Sequence, residues 1–304
     1  MRTEKISWNE LVWAAVTVGR ARRDVFRPGR YSLSEMLYRV NMLYAFYDPK
    51  SGRLRSTNAY DELDPTEKGS VSYALAMSFA KVYSSRRLGM PWLMHLSRYG
   101  DYYGVSFAGT ERPDLIGLDG GGRWAVAEAK GRQRVGSALI VKMQSQKSSV
   151  ATINGASPVW RFGAATRTQR GIYGLVVVDP EPDSEAVELQ IEVARWLAEY
   201  YAPVVDLLED QDPVQDGSRV SVRIPTTDVV IGMSHDLFEA VSGLRAMLLE
   251  QGPQVASRAG RPVETESFGL DRDDLVRILS LVAAAVEEGA LSDGLVVQAP
   301  PPKP

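Results

Sequence analysis

Cysteine is absent from this 304-residue chain, and histidine occurs twice. Disulfides, zinc–thiolate centres and thiol nucleophiles are therefore excluded, and histidine-based metal sites or triads have little material. Long apolar runs are missing as well: none approaches the roughly 20 residues that span a bilayer. The first apolar run, Leu11 to Val18, is short and follows Glu10, which argues against a signal peptide. There is no internal repeat, phosphate-cradling glycine loop or zinc pattern. The expectation is a cytoplasmic protein with no membrane partner.

What is present is an ordinary globular composition, with 44% apolar and 24% charged residues, and a length that allows one large domain or two small ones. Charge is unevenly placed along the chain. Residues 1–119 hold 17 Lys/Arg and 13 Asp/Glu, residues 120–178 hold 9 and 1, and residues 179–304 hold 9 and 24. The three segments carry +4, +8 and −15, giving the overall −3. A basic middle segment suits a polyanion such as a nucleic acid. A basic face that neutralises the acidic C-terminal third is the plain alternative.

The one acid of that middle segment, Glu128, sits in the most informative stretch. Pro113 to Leu118 and Trp124 to Lys130 are short strand-forming runs around Asp119-Gly120-Gly121-Gly122, a turn sequence. If residues 119–123 form the loop, Leu118 faces Trp124 and Asp114 faces Glu128. Side chains alternate along a strand, so Glu128 and Lys130 share a face. Directly opposed residues have Cβ atoms roughly 5 Å apart. Two carboxylates so placed repel, and a shared proton, a cation or solvent must compensate. A hard divalent cation, Mg²⁺ or Mn²⁺, suits such oxygen ligands. The backbone carbonyl of Ala129 is a candidate third ligand, and Lys130 is placed to hold an attacking water or a phosphate. An ordinary hairpin with surface charges is the other reading.

Pro113-Asp114, a gap, then Glu128-Ala129-Lys130 resembles the PD-(D/E)xK phosphodiesterase superfamily, the restriction-endonuclease-like fold, over about residues 62–180. That resemblance implies metal-dependent cleavage of nucleic acid, with Asp114 and Glu128 as metal ligands and Lys130 as the catalytic lysine. It also implies a further acid from the helix before the core strands, for which Glu67 is the candidate. The helix after the lysine strand would offer Lys142, Gln144 and Lys147 to the phosphate backbone. Arg167 and Arg170, beside Trp160 and Arg161, add basic residues interleaved with an aromatic, which suits strand contact.

Along the chain, Ser7–Glu10 and Ser32–Glu35 read as capping boxes opening helices to about Ala21 and Tyr47. Residues 48–63 read as a polar loop with Lys50, Arg53 and Arg55. Helices are expected over about 66–86 and 137–153, with a strand at 91–98 whose His95 reads as a packed histidine rather than a ligand. A loop then runs to Gly171, and Ile172–Val178 reads as a buried strand. Further on, 186–202 is a helix with a strand-like start, 219–224 and 228–233 are strands, and 235–251 and 271–288 are helices. Gly252–Phe268 reads as a mobile loop and 299–304 as a disordered proline-rich tail.

The expected architecture is α/β: a mixed central sheet flanked by helices, with an N-terminal helical extension (1–60), a nuclease core (61–180) and an acidic α/β extension (181–304). The expected function is a Mg²⁺-dependent nuclease, on DNA rather than RNA, in defence or restriction. The rival is a nucleic-acid-binding or scaffold protein with the same fold and no turnover. A second copy or a protein partner is expected on the C-terminal third.

Overall fold

Asp119 makes the turn that registers the main sheet. Its Oδ1 accepts from the N–H groups of Gly121 (2.9 Å) and Arg123 (2.8 Å), and Gly122 supplies a φ of 76°. Leu118 therefore pairs with Trp124, Gly117 with Ala125, Ile116 with Val126 and Leu115 with Ala127, the register expected from the turn. The computed structural model describes residues 5–18, 30–49, 53–96, 113–132, 135–148, 150–169, 172–178, 187–189, 191–250 and 272–302.

Among the described residues the main sheet has seven strands: β1 (Tyr47–Asp48), β2 (Arg55–Ser56), β3 (Trp92–His95), β4 (Leu115–Leu118), β5 (Trp124–Gly131), β7 (Trp160–Gln169) and β8 (Ile172–Val178). Their order is β1–β2–β8–β7–β5–β4–β3, and the sheet is mixed: β5 and β7 are parallel, the other neighbours antiparallel. A parallel pair needs a crossover. Here it runs through α5 (Ser137–Ser148) and β6 (Val150–Ile153), which pairs in parallel with β9 (Val187–Leu189).

One face of the sheet is built small. Ala127 and Ala129 of β5 and Ala164 of β7 meet Ala76, Met77 and Ala80 of α4 (Pro65–Leu88). Short side chains let the helix lie close. At Gly131 the approach is closest: a Cβ there would stand 2.2 Å from the Ser72 carbonyl carbon and 2.3 Å from the Tyr73 nitrogen. The opposite face is built large, with Trp124 edge-on to Trp196 of α6 (Val193–Asp210) at 5.5 Å. Helices α1 (Trp8–Thr17) and α2 (Arg30–Phe46) join the same buried apolar cluster, which extends from Trp8 to Ala299.

A second sheet, wholly antiparallel, has the order β10 (Val214–Asp216), β11 (Arg219–Ile224), β12 (Val229–Ser234), β13 (Leu295–Gln298). Helices α7 (His235–Glu250) and α8 (Arg272–Glu287) accompany it. Just before β13, buried Asp293 ties the two halves together. Its Oδ2 accepts from Trp13 Nε1 of α1 (2.8 Å) and from the Tyr200 hydroxyl of α6, and lies 4.0 Å from Lys81 Nζ of α4. Burial depresses Lys81 to about 7 against the opposing pull of Asp293.

Several local expectations are corrected. Ser32 lies inside α2, not at its start. Residues 48–63 are not a plain loop: they carry β2 and a short helix, α3 (Asn58–Asp61), with Thr57 as its cap. The helix after the hairpin stops at Ser148, and Val150–Ile153 is a strand ended by Asn154 and Gly155 at φ 53° and 75°. The expected loop before Gly171 is β7, a central strand of 10 residues. The described part of the proline-rich tail is docked: Ala299 N–H donates to Asn9 Oδ1 at 2.8 Å, and the Tyr44 hydroxyl donates to the Pro300 carbonyl at 2.5 Å. The expected mobile loop at 252–268 lies outside the described residues. No described helix is long and apolar enough to cross a membrane.

Candidate active site

The site is assembled where three elements end together. Asp114 stands one residue before β4, and β3 and β5 hold its backbone. Its carbonyl accepts from Leu96 N–H at 2.7 Å, and its N–H donates to Glu128 Oε2 at 3.0 Å. Its carboxylate turns to the same strand: Oδ2 accepts from Ala129 N–H at 2.9 Å. Lys130, two residues beyond Glu128, pairs with the Glu128 carboxylate and lies 4.0 Å from Asp114 Oδ2. The register thus brings Asp114, Glu128 and Lys130 together at one end of the β4–β5 hairpin.

Their environments differ. Glu128 is wholly buried (0% side-chain exposure), whereas Asp114 and Lys130 retain 17% each. Burial first, and the Asp114 charge second, push Glu128 up to about 8, with Lys130 pulling the other way. Two alternatives thus relieve the repulsion between the acids: a proton on Glu128, favoured by burial and Asp114, or an ionised Glu128 paired with the Lys130 ammonium.

Two further side chains belong to the group. The Tyr73 hydroxyl of α4 donates to Asp114 Oδ1 at 3.0 Å and lies 3.0 Å from His95 Nε2 at the end of β3. Burial, then the Asp114 carboxylate, drive the Tyr73 hydroxyl well above the usual phenol range, so it stays a donor. Tyr73 escaped sequence reading, because a tyrosine among the apolar positions of a helix has no spacing that marks it. His95 is packed in its strand, as expected, but it is also joined to the site through Tyr73.

Glu67 requires a correction. It is the N3 residue of α4, and its Oε2 accepts from Asp64 N–H at 3.1 Å while Asp64 Oδ1 accepts from Glu67 N–H at 3.2 Å. This is a closed capping box, and it lies six residues, roughly 9 Å of helix, from Tyr73. The helix before the strands therefore presents a phenol where an acid was expected. Among the described residues no group of three or more acids and histidines is placed to hold a metal. The candidate ligand set is therefore Asp114, Glu128 and the Ala129 carbonyl. In an extended strand a residue's N–H and C=O point to the same edge, and the Ala129 N–H points at Asp114.

Of the expected nucleic-acid contacts, Lys142 is exposed on α5 and Arg167 is half-buried in β7 opposite Gly174. Gln144 and Lys147 fall on α5 with side chains outside the described set, and Arg170 lies outside the described residues. No family model matches the chain, and neither a curated protein nor a solved structure shows a significant match to it.

Proposed function

We propose that this chain is a metal-dependent nuclease of the PD-(D/E)xK type, hydrolysing phosphodiester bonds with DNA as the favoured substrate. The observation that carries the reading is the convergence of Asp114, Glu128 and Lys130 at one end of the hairpin. The chain order supports it: helix α4, strands β3, β4 and β5, helix α5, the short strand β6, then β7, which is parallel to β5. So does the net charge of +8 over residues 120–178.

The donor set suits a hard cation: two carboxylates and a backbone carbonyl, all oxygen. Asp114, Glu128 and the Ala129 carbonyl would hold Mg²⁺ or Mn²⁺, which when bound supplies Lewis acidity to a phosphoryl oxygen and a more acidic water. For this, Glu128 would have to be ionised and its carboxylate free of the Lys130 ammonium. The freed ammonium is then available to an attacking water or to the phosphate. The partly exposed edge formed by Asp114 and Lys130 is the side from which a phosphodiester would approach.

A second reading, binding without turnover, is favoured by the Lys130–Glu128 ion pair, which neutralises the buried acid without any cation. Incubation with labelled single- and double-stranded DNA and RNA, with Mg²⁺, with Mn²⁺ and with neither, separates the two. The nuclease reading expects cation-dependent cleavage of at least one substrate. Binding with no cleavage of any substrate under either cation would establish the second reading.

A further inference from the structure

We infer that Tyr73 and His95 are positioning residues that hold the Asp114 carboxylate in the orientation in which it takes a cation. The inference rests on the reading of Asp114 as a metal ligand.

The terminal torsion of an aspartate is soft, with a broad distribution rather than sharp wells. The Asp114 backbone is held on both sides, by Leu96 N–H and by Glu128, but that does not set the rotation of its carboxylate. Two hydrogen bonds from two different elements do. Ala129 N–H on β5 takes Oδ2 at 2.9 Å, and the Tyr73 hydroxyl on α4 takes Oδ1 at 3.0 Å. Each oxygen keeps a second lone-pair direction for another partner.

A phenol proton rotates to suit its surroundings. His95 removes that freedom. Tyr73 has one proton and gives it to Asp114, so the contact at 3.0 Å to His95 must be a donation from His95 Nε2–H into the phenol oxygen. The donor chain runs His95 to Tyr73 to Asp114, from β3 through α4 to the strand end. The near-contact between α4 and Gly131 fixes the height of Tyr73 over the site, since its nitrogen is 2.3 Å from where a Cβ would stand. Partners of this kind around ligating residues change metal affinity by about 10–100-fold when removed.

The test uses the full chain, Mn²⁺ alone as the probe, and three variants: Tyr73→Phe, His95→Leu and His95→Gln. Mn²⁺ affinity is read by electron paramagnetic resonance, amide exchange at Ala129 by NMR, and folding by thermal melts of the metal-free protein. Tyr73→Phe and His95→Leu should weaken Mn²⁺ binding about tenfold or more. They should also speed exchange at Ala129 while leaving the Ile116 and Val126 amides and the melting midpoint unchanged. His95→Gln, whose amide N–H can replace Nε2–H, should stay near the parent. Parental Mn²⁺ affinity and parental Ala129 exchange in Tyr73→Phe would overturn the inference. So would a fall in midpoint with faster exchange throughout the sheet, the mark of a purely structural role. If the parent itself binds no Mn²⁺, the metal reading and the cation part of this inference both fall. If Mn²⁺ binds and depends on Tyr73 but no nucleic acid is cleaved, the nuclease reading falls and this inference stands.

Discussion

The backbone N–H of Asp114 donates to the Glu128 carboxylate at 3.0 Å, while the Asp114 carboxylate accepts from Ala129 N–H, the next residue after Glu128, at 2.9 Å. Each acid thus braces the other's strand, and the two carboxylates are held near each other by the ladder that their repulsion would loosen. The pH dependence of stability follows from that tension. Burial and Asp114 raise Glu128 from 4.5 to about 8 in the folded protein. Between those values the folded state holds more protons than the unfolded one, so stability falls as pH rises through the window. Asp114→Asn removes the neighbouring charge and should flatten the decline. Denaturant titrations of both proteins without metal, from pH 5 to pH 8, measure this. Parallel profiles for the two would contradict it.

Cation binding should depend on pH in the opposite sense. Glu128 must lose its proton to become a ligand, so Mg²⁺ affinity should increase from pH 6 to pH 8 with net proton release. Calorimetry in two buffers of different ionisation heat reads the released proton directly. Affinity that does not vary with pH would remove Glu128 from the ligand set.

Gly131→Ala should be costly out of proportion to one methyl group. The added carbon would meet the Ser72 and Tyr73 backbone at 2.2 and 2.3 Å, and a helix backbone has no rotamer with which to yield. A loss of about 3 kcal/mol or more is expected from overpacking, together with weaker cation binding as Tyr73 is displaced. Equilibrium unfolding and a Mn²⁺ titration check both; a neutral substitution would mean that α4 does not lie against the end of β5.

Asp293 is the structural counterpart of the site acids. It gathers Trp13, Tyr200 and Lys81 around one oxygen, and its Oδ1 accepts from Leu295 N–H at 3.2 Å. Asp293→Ala removes the acceptor shared by Trp13 and Tyr200 and the counter-charge of buried Lys81, which must then shed its proton, and should cost about 3–5 kcal/mol. Adding Lys81→Met should restore part of that loss, since the two changes share one interaction. Strict additivity in the double variant would show that the pair is not coupled.

The hairpin was legible because its information is local. One aspartate–glycine turn sets the register, and the register sets Asp114 against Glu128 with Lys130 beside them. The capping box at Ser7 was equally local, whereas the one expected at Ser32 lies inside α2, and the box at Asp64 went unread because its Glu67 reads as a candidate metal ligand. β7 was hidden for a tertiary reason. Its Ala164 lies against α4, Gly163 and Ala165 stand beside Glu128 and Lys130, and small residues between arginines read as loop. Val150 and Ile153 are three apart, a spacing that continues a helical stripe as well as it marks the two ends of a short strand. Tyr73 and His95 lie far from the motif in sequence; the packing of α4 on β5 brings Tyr73 to Asp114, and His95 reaches the site through Tyr73. The docking of Ala299 and Pro300 likewise depends on Asn9 and Tyr44, nearly the whole chain away.

The most direct measurement is cleavage of labelled DNA by the parent, Asp114→Asn and Lys130→Met, each with a Mn²⁺ affinity measured on the same preparation. The parent should cleave only with the cation. Asp114→Asn should lose cation binding and cleavage together. Lys130→Met should bind the cation at least as well as the parent, because the competing ammonium is gone from Glu128, yet cleave about 10²-fold or more slowly, the scale of a lost acid–base or electrostatic group. Cation-dependent cleavage that proceeds at the parental rate in both variants would place the active site elsewhere in the molecule.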